Sequence, residues 1–503
     1  MEKLLYKPKI DTEIIKLTMA YPACEAFALS SLGFMWLYKL ADETSGVNVK
    51  RIYTDSNENI SNNSDAIAFS LSFDFDFMGV FEILEKSKIP FYSKERGEKY
   101  PLIFAGGPVI TTNFTPYKKF FDFFIIGDGE TVFLNVLEIL KEKMPKIETL
   151  QKLASIEGVY VPNISTNVKK VTENLSSVIY TPILSDSSYF KDTFIIEVSR
   201  GCMNRCAFCT ASYLNLPYRF NQYEKIIDSI ELGLKNTNKI ALLGAQVSAH
   251  PMFDSIIKYL EDKIDSGLNI ELGISSLRTD TVTPKLVQTL IKGGQKTSTI
   301  AIEAASERLR KFINKNLKNE QIYDAVRVSR ENGLKGLKIY SMIGIPTETQ
   351  EDIEEFINLA KTLKAQNKGF NLTFSFSTFV PKPHTPLQWD IREDSKLLEK
   401  KQKYLEKEFA KLGIETKFSS IKWDYWQTVL SRGDESLTEL MLEVYKNGGK
   451  LGAYKAAVKN LKIDINKSIE GFDINDPLPW DIIEIYPSKD LLINERKRLS
   501  KYN

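Results

Sequence analysis

The stretch SRGCMNRCAFCTASY, residues 199–213, decides how this chain is interpreted. It holds three of the chain's four cysteines, Cys202, Cys206 and Cys209, spaced four and then three positions apart. One short loop with this spacing can direct three thiolates at a single centre, and such soft ligands suit zinc or an iron–sulfur cluster. The sequence therefore predicts a metal centre in this loop.

The identity of the metal depends on whether a fourth protein ligand exists. A structural zinc site is closed by four ligands, and the other candidates are Cys24 and the chain's two histidines, His250 and His384. A zinc site of three cysteines and one histidine stays open, although no motif spacing supports it. Three thiolates on a four-iron cluster would instead leave one iron open, as catalysis at a metal requires.

The composition predicts a soluble globular protein of two or three domains. Of 503 residues, 43% are hydrophobic, and the 67 Lys and Arg residues nearly balance the 65 Asp and Glu residues. Because the charges cancel, no field of the whole chain attracts nucleic acid or an anionic membrane. No apolar run near the start is long enough to span a bilayer, and no export signal is evident, so we predict a cytoplasmic protein with reduced thiols.

Apolar runs alternate with helix-like segments between residues 50 and 135. This alternation predicts an α/β fold that opens with a Rossmann-like domain, residues 1–165, whose parallel sheet has crossover helices. Ligands of such sheets bind beyond the carboxyl ends of the strands. Four glycines fall there, and each either approaches a ligand or merely permits a tight turn: Gly106, Gly107, Gly127 and Gly129.

The rest of the chain divides into three further regions. Residues 166–190, rich in Ser, Thr and Asn, are predicted to form a connector. Residues 191–400 contain six strand–helix units, which predict a partial TIM-type (β/α)6 barrel with its active site at the carboxyl ends of the strands. Residues 401–503 read as a mostly helical C-terminal region.

Two predicted barrel strands carry polar residues on one face. Strands covered on both faces should be continuously apolar, so a polar inner face indicates a ligand-lined lumen. The alternative is a half-exposed antiparallel strand. The polar residues are Lys338 and Tyr340 on one strand, and Asn371, Thr373, Ser375 and Ser377 on the next.

The cysteine spacing, with Phe208 directly before the third cysteine, resembles the CxxxCxxC motif of radical SAM enzymes. The resemblance implies a 4Fe-4S cluster held by Cys202, Cys206 and Cys209. In that family the open iron binds S-adenosylmethionine (SAM), which an electron from the cluster cleaves to a deoxyadenosyl radical. Phe208 resembles the residue whose backbone neighbours the adenine.

Further segments of the barrel resemble the family's SAM-binding motifs. LLGAQ, SSLR, AIEAASERLR and YSMIGIPTET stand at the expected strand ends, although LLGAQ lacks the usual acidic residue. Glu303 lies on a strand and needs a partner, either an arginine or the cofactor. The resemblance assigns six cofactor-binding residues: Gly244 to the amino group, Ser275, Arg278 and Glu303 to the ribose and carboxylate, and Ile343 and Gly344 to the adenine.

The segments YPACEAFALSSLGFMWLYKL, FAGGP, DFFIIGDGE and FVPKPHTPLQW resemble a mostly uncharacterised group of radical SAM proteins with an N-terminal cobalamin-binding-like domain. In relatives that bind cobalamin, the nucleotide tail enters along the glycine-rich strand ends. Many carry an Asp-x-His-x-x-Gly motif whose histidine ligates cobalt, but this chain has no histidine before His250. Either cobalamin binds without that ligand, or the domain has lost it.

Bound cobalamin would imply methyl transfer to an unactivated carbon or phosphorus. The alternatives are a methylthiotransferase, another cobalamin-independent radical enzyme, or a non-catalytic protein that holds zinc or a vestigial cluster. Methylthiotransferases carry three further N-terminal cysteines, whereas this chain has only Cys24, which reads as a small buried hydrophobe.

Side chains at the predicted barrel mouth complete the candidate set. Tyr340, with Lys338 and Asn371, is predicted to contact substrate, while His250 is either structural or supports the site from behind the residues that touch the ligand. His384, in PKPHTP, is either an acid, base or cofactor contact or a loop-packing residue. Family chemistry implies a flavodoxin or ferredoxin as electron donor, and the substrate cannot be read from the sequence.

Overall fold

The computed structural model describes residues 2–60, 64–274 and 277–502. Its N-terminal part alternates strands and helices, as the sequence predicts. The strands are β1 (Glu2–Leu4), β2 (Ile15–Tyr21), β3 (Val47–Tyr53), β4 (Ala66–Ser70), β5 (Leu102–Gly106), β6 (Phe123–Ile125) and β7 (Val159–Tyr160). The helices are α1 (Glu25–Ala28), α2 (Leu32–Asp42), α3 (Phe77–Lys86), α4 (Pro108–Thr112), α5 (Glu130–Lys141) and α6 (Lys146–Leu153).

Six of these strands form one sheet in the order β3-β2-β4-β5-β6-β7. All neighbours are parallel except β6 and β7, which are antiparallel. The chain reverses its direction of travel across the sheet between β2 and β4, which is where ligand crevices open in doubly wound sheets. The Rossmann-like prediction is confirmed.

Two short strands, β8 (Val168–Lys169) and β9 (Ile183–Ser185), follow the N-terminal sheet. β9 pairs with β1. The segment 179–181 then runs antiparallel to the first strand of the next sheet, with backbone hydrogen bonds from Thr181 to Ile195 and from Glu197 to Ile179. This segment therefore covers the outer edge of that strand.

The central part contains parallel strands with helices between them. Its strands are β10 (Thr193–Glu197), β11 (Ser199–Arg200), β12 (Arg219–Phe220), β13 (Lys239–Leu243), β14 (Glu271–Ile274), β15 (Thr297–Glu303), β16 (Gly336–Ile343), β17 (Asn371–Thr378) and β18 (Glu415–Phe418). Its helices are α7 (Thr210–Leu214), α8 (Tyr223–Leu234), α9 (Phe253–Asp265), α10 (Pro284–Lys292), α11 (Glu307–Phe312), α12 (Asn319–Glu331), α13 (Gln350–Gln366) and α14 (Ser395–Lys411).

The parallel strands form two sheets, β10-β13-β14 and β15-β16-β17-β18. One parallel bridge between Leu277 and Ile300 joins them. The six predicted strands are all present, and β18 is a seventh that the sequence analysis did not identify. The predicted boundary at residue 401 falls inside α14, which connects β17 to β18.

The alternation of burial along β16 and β17 shows which face points inward. Ile339, Phe374 and Phe376 are buried against the helices, whereas Tyr340 and Ser377 on the opposite face are exposed. Both strands are parallel to their neighbours, so the antiparallel alternative is wrong.

The C-terminal part is mostly helical, with one short strand, β19 (Ile483–Glu484), that pairs with β8. Three of its helices complete the N-terminal core: Trp426, Val429, Leu440 and Tyr454 join one buried cluster with Phe69 of β4 and Phe81 of α3. Among the described residues, none of the helices is sufficiently long and apolar to cross a membrane. The helices are α15 (Ile421–Arg432), α16 (Leu437–Lys446), α17 (Leu451–Leu461), α18 (Asn466–Glu470) and α19 (Lys489–Leu499).

Candidate functional site

The cysteine loop follows the first barrel strand and is closed at its base by two short strands. β11 and β12 pair antiparallel, so Arg200 lies opposite Arg219. Gly201 begins the loop with φ of 82°, and a Cβ there would lie 2.4 Å from the carbonyl oxygen of Asn215. Only glycine fits this position without displacing backbone, because both the conformation and the space exclude a side chain.

The three thiols lie in this loop without disulfide partners. Cys202 and Cys206 are buried and Cys209 is partly buried. Burial raises the pKa of the Cys206 thiol to about 12 and also raises the pKa of Cys209. Because cluster and metal ligands must be thiolates, a metal centre bound here would displace these protons. The donor set therefore fits an iron–sulfur cluster.

The surroundings do not complete a zinc site. Both ring nitrogens of His250 are engaged, Nε2 with the Asn221 carbonyl oxygen at 2.8 Å and Nδ1 with the Met252 N–H at 3.0 Å. Within the described residues, no three His, Cys, Asp or Glu side chains are already drawn together at metal-binding distances, and this holds for the three thiols of the loop as well. The three thiols thus have no imidazole partner from His250.

The segment after β13 contacts the cysteine loop through Gln246, which the sequence analysis missed. Asn204 donates from Nδ2 to the Gln246 side-chain oxygen and, at 3.4 Å, to Sγ of Cys202. A Cβ on Gly244 would lie 2.6 Å from Oγ of Ser199, so this glycine permits close approach of two neighbouring strand ends. The only sequence signal for Gln246 is its place in LLGAQ.

Glu303 has the partner that its position demands, but it is a lysine rather than an arginine. Lys315 Nζ lies 3.1 Å from Glu303 Oε1, and both side chains are largely buried. Burial alone would lower the pKa of Lys315, yet Glu303 and Cys206 outweigh it and leave that pKa raised. Glu303 also has φ of 66°, in the left-handed region that is costly outside glycine and that often occurs at functional sites.

Arg278 lies in the same cluster. Its guanidinium donates to the Lys315 carbonyl oxygen at 3.2 Å and pairs with Asp280 at 2.7 Å. The structure thus brings together Arg278, Glu303 and Cys206 through Lys315. Lys315 was missed because it lies in a polar, lysine-rich segment that reads as solvated. Ser275, predicted beside Arg278, lies outside the described residues.

A cavity of about 500 Å³, which we call the lumen cavity, opens beside this cluster on the inner face of the strands. Phe208 and Glu303 border it on one side, and Tyr340 projects into it, with the Lys338 ammonium donating to its hydroxyl at 3.3 Å. Asn371 lies instead at the opposite end of β17. The cavity is lined by Phe208, Ala301, Glu303, Tyr340, Ser341, Met342, Ser375, Phe376, Ser377, Lys417, Phe418 and Ser419.

The segment after β16 forms a tight turn held by an acid. Ile343 is buried, and the Gly344 N–H donates to Glu348 Oε1 at 2.9 Å. Gly344 has φ of 77°, and a Cβ there would meet Leu398 at 2.7 Å. Burial raises the pKa of Glu348 to about 7 although Lys401 pairs with it. The glycine is required by packing, and its predicted adenine contact stays a prediction.

His384 packs against the N-terminal domain and, among the described residues, is not part of the lining of the lumen cavity. Its buried imidazole lies with Nε2 3.0 Å from the carbonyl oxygen of Thr112 at the end of α4. Burial lowers its pKa to about 4, so the ring is neutral. In the part of the chain that the structure describes, it lines neither this cavity nor the one below. The geometry favours the packing role over the catalytic one.

A second cavity, of about 390 Å³, lies at the carboxyl ends of β4, β5 and β6; we call it the N-terminal cleft. All four predicted glycines line it. A Cβ on Gly107 would lie 2.6 Å from the Leu71 carbonyl oxygen, and one on Gly127 would lie 2.2 Å from that of Val171, so these two are needed for packing. Gly106 and Gly129 meet nothing nearer than 3.5 Å and 3.6 Å.

The opposite wall of the N-terminal cleft comes from the barrel. Glu197 ends β10, Arg200 precedes the cysteine loop, and Leu214 and Asn215 end α7 within it. The cleft therefore lies between the N-terminal sheet and the element that carries the thiols. Its volume is in the range of small-molecule sites, and packing does not explain why Gly106 and Gly129 line it.

Two family models match this chain, and both describe radical SAM proteins. The model for the N-terminal region of radical SAM proteins matches residues 34–162, and that for the radical SAM superfamily matches residues 196–360. An uncharacterised protein of Methanocaldococcus jannaschii is 31% identical over 437 residues, which cover 85% of this chain and 91% of that protein.

Two solved structures share the fold. TsrM of Kitasatospora setae, a radical SAM methyltransferase with cobalamin and a [4Fe-4S] cluster bound, gives a TM-score of 0.54 at 13% identity and covers 74% of each chain. OxsB, a cobalamin-dependent SAM radical enzyme with aqua-cobalamin bound, gives 0.55 at 14% identity and covers 90% of this chain and 72% of its own. Fold, cysteine loop and sequence relatives agree, and the chain belongs to the radical SAM superfamily of enzymes.

Proposed function

We propose that this enzyme is a cobalamin-dependent radical SAM methyltransferase that acts on an unactivated carbon. The observation that carries the proposal is the position of the N-terminal cleft, which has glycine strand ends on one wall and Arg200, Leu214 and Asn215 of the cysteine-loop region on the other. A ligand in this cleft would lie against the loop that holds the thiols. The two cofactors of such a reaction would therefore bind on adjacent surfaces.

Cys202, Cys206 and Cys209 would hold the 4Fe-4S cluster. When bound, that cluster supplies the electron that cleaves SAM to methionine and a deoxyadenosyl radical. Lys315 and Glu303 lie beside Cys206 and carry opposite charges. The Lys315 ammonium would suit the carboxylate of SAM, and the Glu303 carboxylate would suit its amino group. Phe208, packed at the edge of the lumen cavity, would border the adenine.

The N-terminal cleft would hold cobalamin, whose role in the reaction is to carry the methyl group. TsrM and OxsB, which share the fold, contain cobalamin. A Cβ on Gly106 or Gly129 would fit at ordinary van der Waals distance, so packing does not require these two glycines, whereas Gly107 and Gly127 shape the turns around the cleft. Among the described residues, no histidine lines the cleft, so the proposal does not include an imidazole ligand to cobalt.

The lumen cavity would hold the substrate. Tyr340, Ser375 and Ser377 present hydroxyl groups on the inner face of β16 and β17, while Ala301 keeps the neighbouring wall small. The hydroxyl groups would form hydrogen bonds with the substrate, and the small Ala301 side chain leaves space for its apolar part. A low-potential donor is also needed, and we propose a flavodoxin or ferredoxin of the cytoplasm.

The test is anaerobic reconstitution with iron and sulfide, with and without hydroxocobalamin, followed by SAM and dithionite. We expect about four irons per chain, deoxyadenosine that requires dithionite, and hydroxocobalamin retained through gel filtration. Iron and deoxyadenosine without retained cobalamin would contradict the methyl-transfer proposal and favour a cobalamin-independent reaction. Zinc in place of iron, or a cluster that never cleaves SAM, would contradict catalysis itself.

A further inference from the structure

The cysteine loop is fastened at both ends by arginines. Arg200 and Arg219 are cross-strand neighbours on β11 and β12, and the whole segment between them is the loop that carries the three thiols. Because a two-residue ladder alone is a weak closure, the contacts of these two side chains decide how firmly the base of the loop is held.

Both arginines bind the same carboxylate of the other domain. Asp128 Oδ1 lies 3.0 Å from Arg200 Nη1, and Asp128 Oδ2 accepts a hydrogen bond from Arg219 Nη1 at 2.6 Å. Asp128 lies between Gly127 and Gly129, where β6 ends, and it lines the N-terminal cleft. One aspartate thus joins the cleft to both ends of the cysteine loop.

The rest of the network keeps Asp128 ionised and Arg200 fixed. Arg200 also donates to Glu197 at 2.8 Å and to Glu130 at 2.7 Å, so its guanidinium is held from both domains. The Glu173 N–H donates to Asp128 Oδ2 at 2.9 Å. Burial would raise the pKa of Asp128, but the two arginines outweigh it and leave the pKa lower than usual.

We propose that Asp128 is a positioning residue that holds the cysteine loop from within the N-terminal cleft and thereby couples binding in the cleft to binding of SAM at the loop. A ligand that contacts the Gly127–Gly129 segment shifts the position of Asp128. Because Arg200 and Arg219 bind Asp128, they transmit that shift to the two ends of the cysteine loop. Coupling between two sites is reciprocal, so each ligand must change the affinity for the other by the same factor. The coupling half of the proposal rests on the proposed function, in which the cleft ligand is cobalamin.

The test uses Asp128→Asn, which keeps the shape of the side chain but removes the charge shared by two arginines. The matched control is Asp122→Asn, because Asp122 is also buried in the N-terminal domain and also pairs with two cations, Arg96 at 3.3 Å and Lys146 at 3.0 Å. Asp122 lies outside the lining of the N-terminal cleft among the residues that the structure describes.

The first measurement is SAM affinity without cobalamin, read from the change that SAM causes in the electron paramagnetic resonance spectrum of the reduced cluster. We expect Asp128→Asn to weaken SAM binding about tenfold, within the range typical of coupling between sites, because both ends of the loop lose a shared contact, with iron content unchanged. Asp122→Asn should match the wild type. Equal affinities in Asp128→Asn and wild type, or equal losses in both variants, would overturn the positioning role.

The second measurement repeats the titration with hydroxocobalamin present. In the wild type we expect SAM affinity to change about fivefold or more, at the lower end of typical coupling, and in Asp128→Asn we expect no change. A wild type that binds hydroxocobalamin without any change in SAM affinity would overturn the coupling. A wild type that binds no hydroxocobalamin would overturn the coupling together with the proposed function, while the first measurement still decides the positioning role. Arg219→Lys, a milder change of the same contact, serves if Asp128→Asn is insoluble.

Discussion

The lumen cavity and the N-terminal cleft both lie at the carboxyl ends of parallel strands, yet their walls differ in kind. The lumen cavity is bordered by Phe208, Glu303 and Tyr340, beside a loop of three thiols, so side-chain chemistry marks it. In the sequence the cleft is marked only by its glycines, and two of the four are explained by packing alone. Reactive side chains in a sequence therefore identify a functional site directly. Glycines at strand ends identify only a position where a ligand site can form.

The largest effect is expected where side-chain chemistry is strongest. Cys206→Ala removes one of three thiolates, and we expect it to lose the cluster and all deoxyadenosine formation. Cys24→Ala is the control, because Cys24 lies before α1 and outside the cysteine loop. Iron content and deoxyadenosine after reconstitution measure both. Deoxyadenosine at wild-type rates from Cys206→Ala would contradict the cluster assignment.

The next largest effect is expected at the Glu303–Lys315 pair beside Cys206. Glu303→Gln leaves the buried Lys315 ammonium without its carboxylate, and removing one partner of a buried ion pair costs about 3–5 kcal/mol. That cost falls on folding stability. Because Glu303 also borders the lumen cavity beside Cys206, we expect SAM binding to weaken as well, by about tenfold, which corresponds to about 1.4 kcal/mol of binding free energy.

The control for Glu303→Gln is Asp122→Asn, which breaks a buried pair remote from the lumen cavity. If the two variants lose stability alike and neither changes SAM affinity, the role of Glu303 is structural. Chemical denaturation and the spectroscopic SAM titration separate these cases.

Two glycine substitutions sharpen the comparison within the cleft. Gly127→Ala places a Cβ 2.2 Å from the Val171 carbonyl oxygen at φ of 105°, and we expect it to destabilise the protein by about 1–3 kcal/mol. Gly106→Ala meets nothing nearer than 3.5 Å, so its effect should stay within about 0.5 kcal/mol. Equal losses in thermal denaturation would show that both glycines serve packing and would weaken the cleft as a ligand site.

The smallest effect on catalysis is expected at His384. We expect His384→Gln to form deoxyadenosine within about twofold of the wild-type rate, because the ring packs against Thr112 and, among the described residues, lines neither cavity. More than about tenfold loss in soluble protein with a normal iron content would restore the catalytic interpretation.

His384 should nevertheless affect the pH dependence of stability. Its folded pKa of about 4 lies below the ordinary value of 6.5, so between these values the unfolded chain binds a proton that the folded protein does not. Stability should therefore fall as pH falls from 6.5 to 4, by up to about 3 kcal/mol from this group. Removing the imidazole should flatten that slope in denaturation measured from pH 7 to pH 4.5.

Local patterns predicted the parts of this molecule that depend on local chemistry. The spacing of Cys202, Cys206 and Cys209 located the cysteine loop, and the alternation around Tyr340 located the inner face of the strands. The short strand β18, Glu415–Phe418, was not identified, because ETKF is brief and charged and forms only by pairing with β17.

Contacts between distant segments could not be read from the sequence. Lys315 looks like a solvated lysine until α11 and α12 enclose it beside Glu303. Asp128, Arg200 and Arg219 carry no motif, since they meet only when two domains dock. The C-terminal helices likewise look like a separate appendage, although Trp426 and Tyr454 complete the N-terminal core.

Retention of hydroxocobalamin tests the central claim most directly, because the claim is that the N-terminal cleft holds a cofactor beside the cysteine loop. Reconstituted wild type and Gly106→Leu, which adds a bulky side chain at a strand end that lines the cleft, are mixed with hydroxocobalamin and passed through gel filtration. We predict about one cobalamin per chain in the wild type and at least about tenfold weaker binding in Gly106→Leu at equal thermal stability. Equal retention by both proteins, or none by the wild type, would contradict the account.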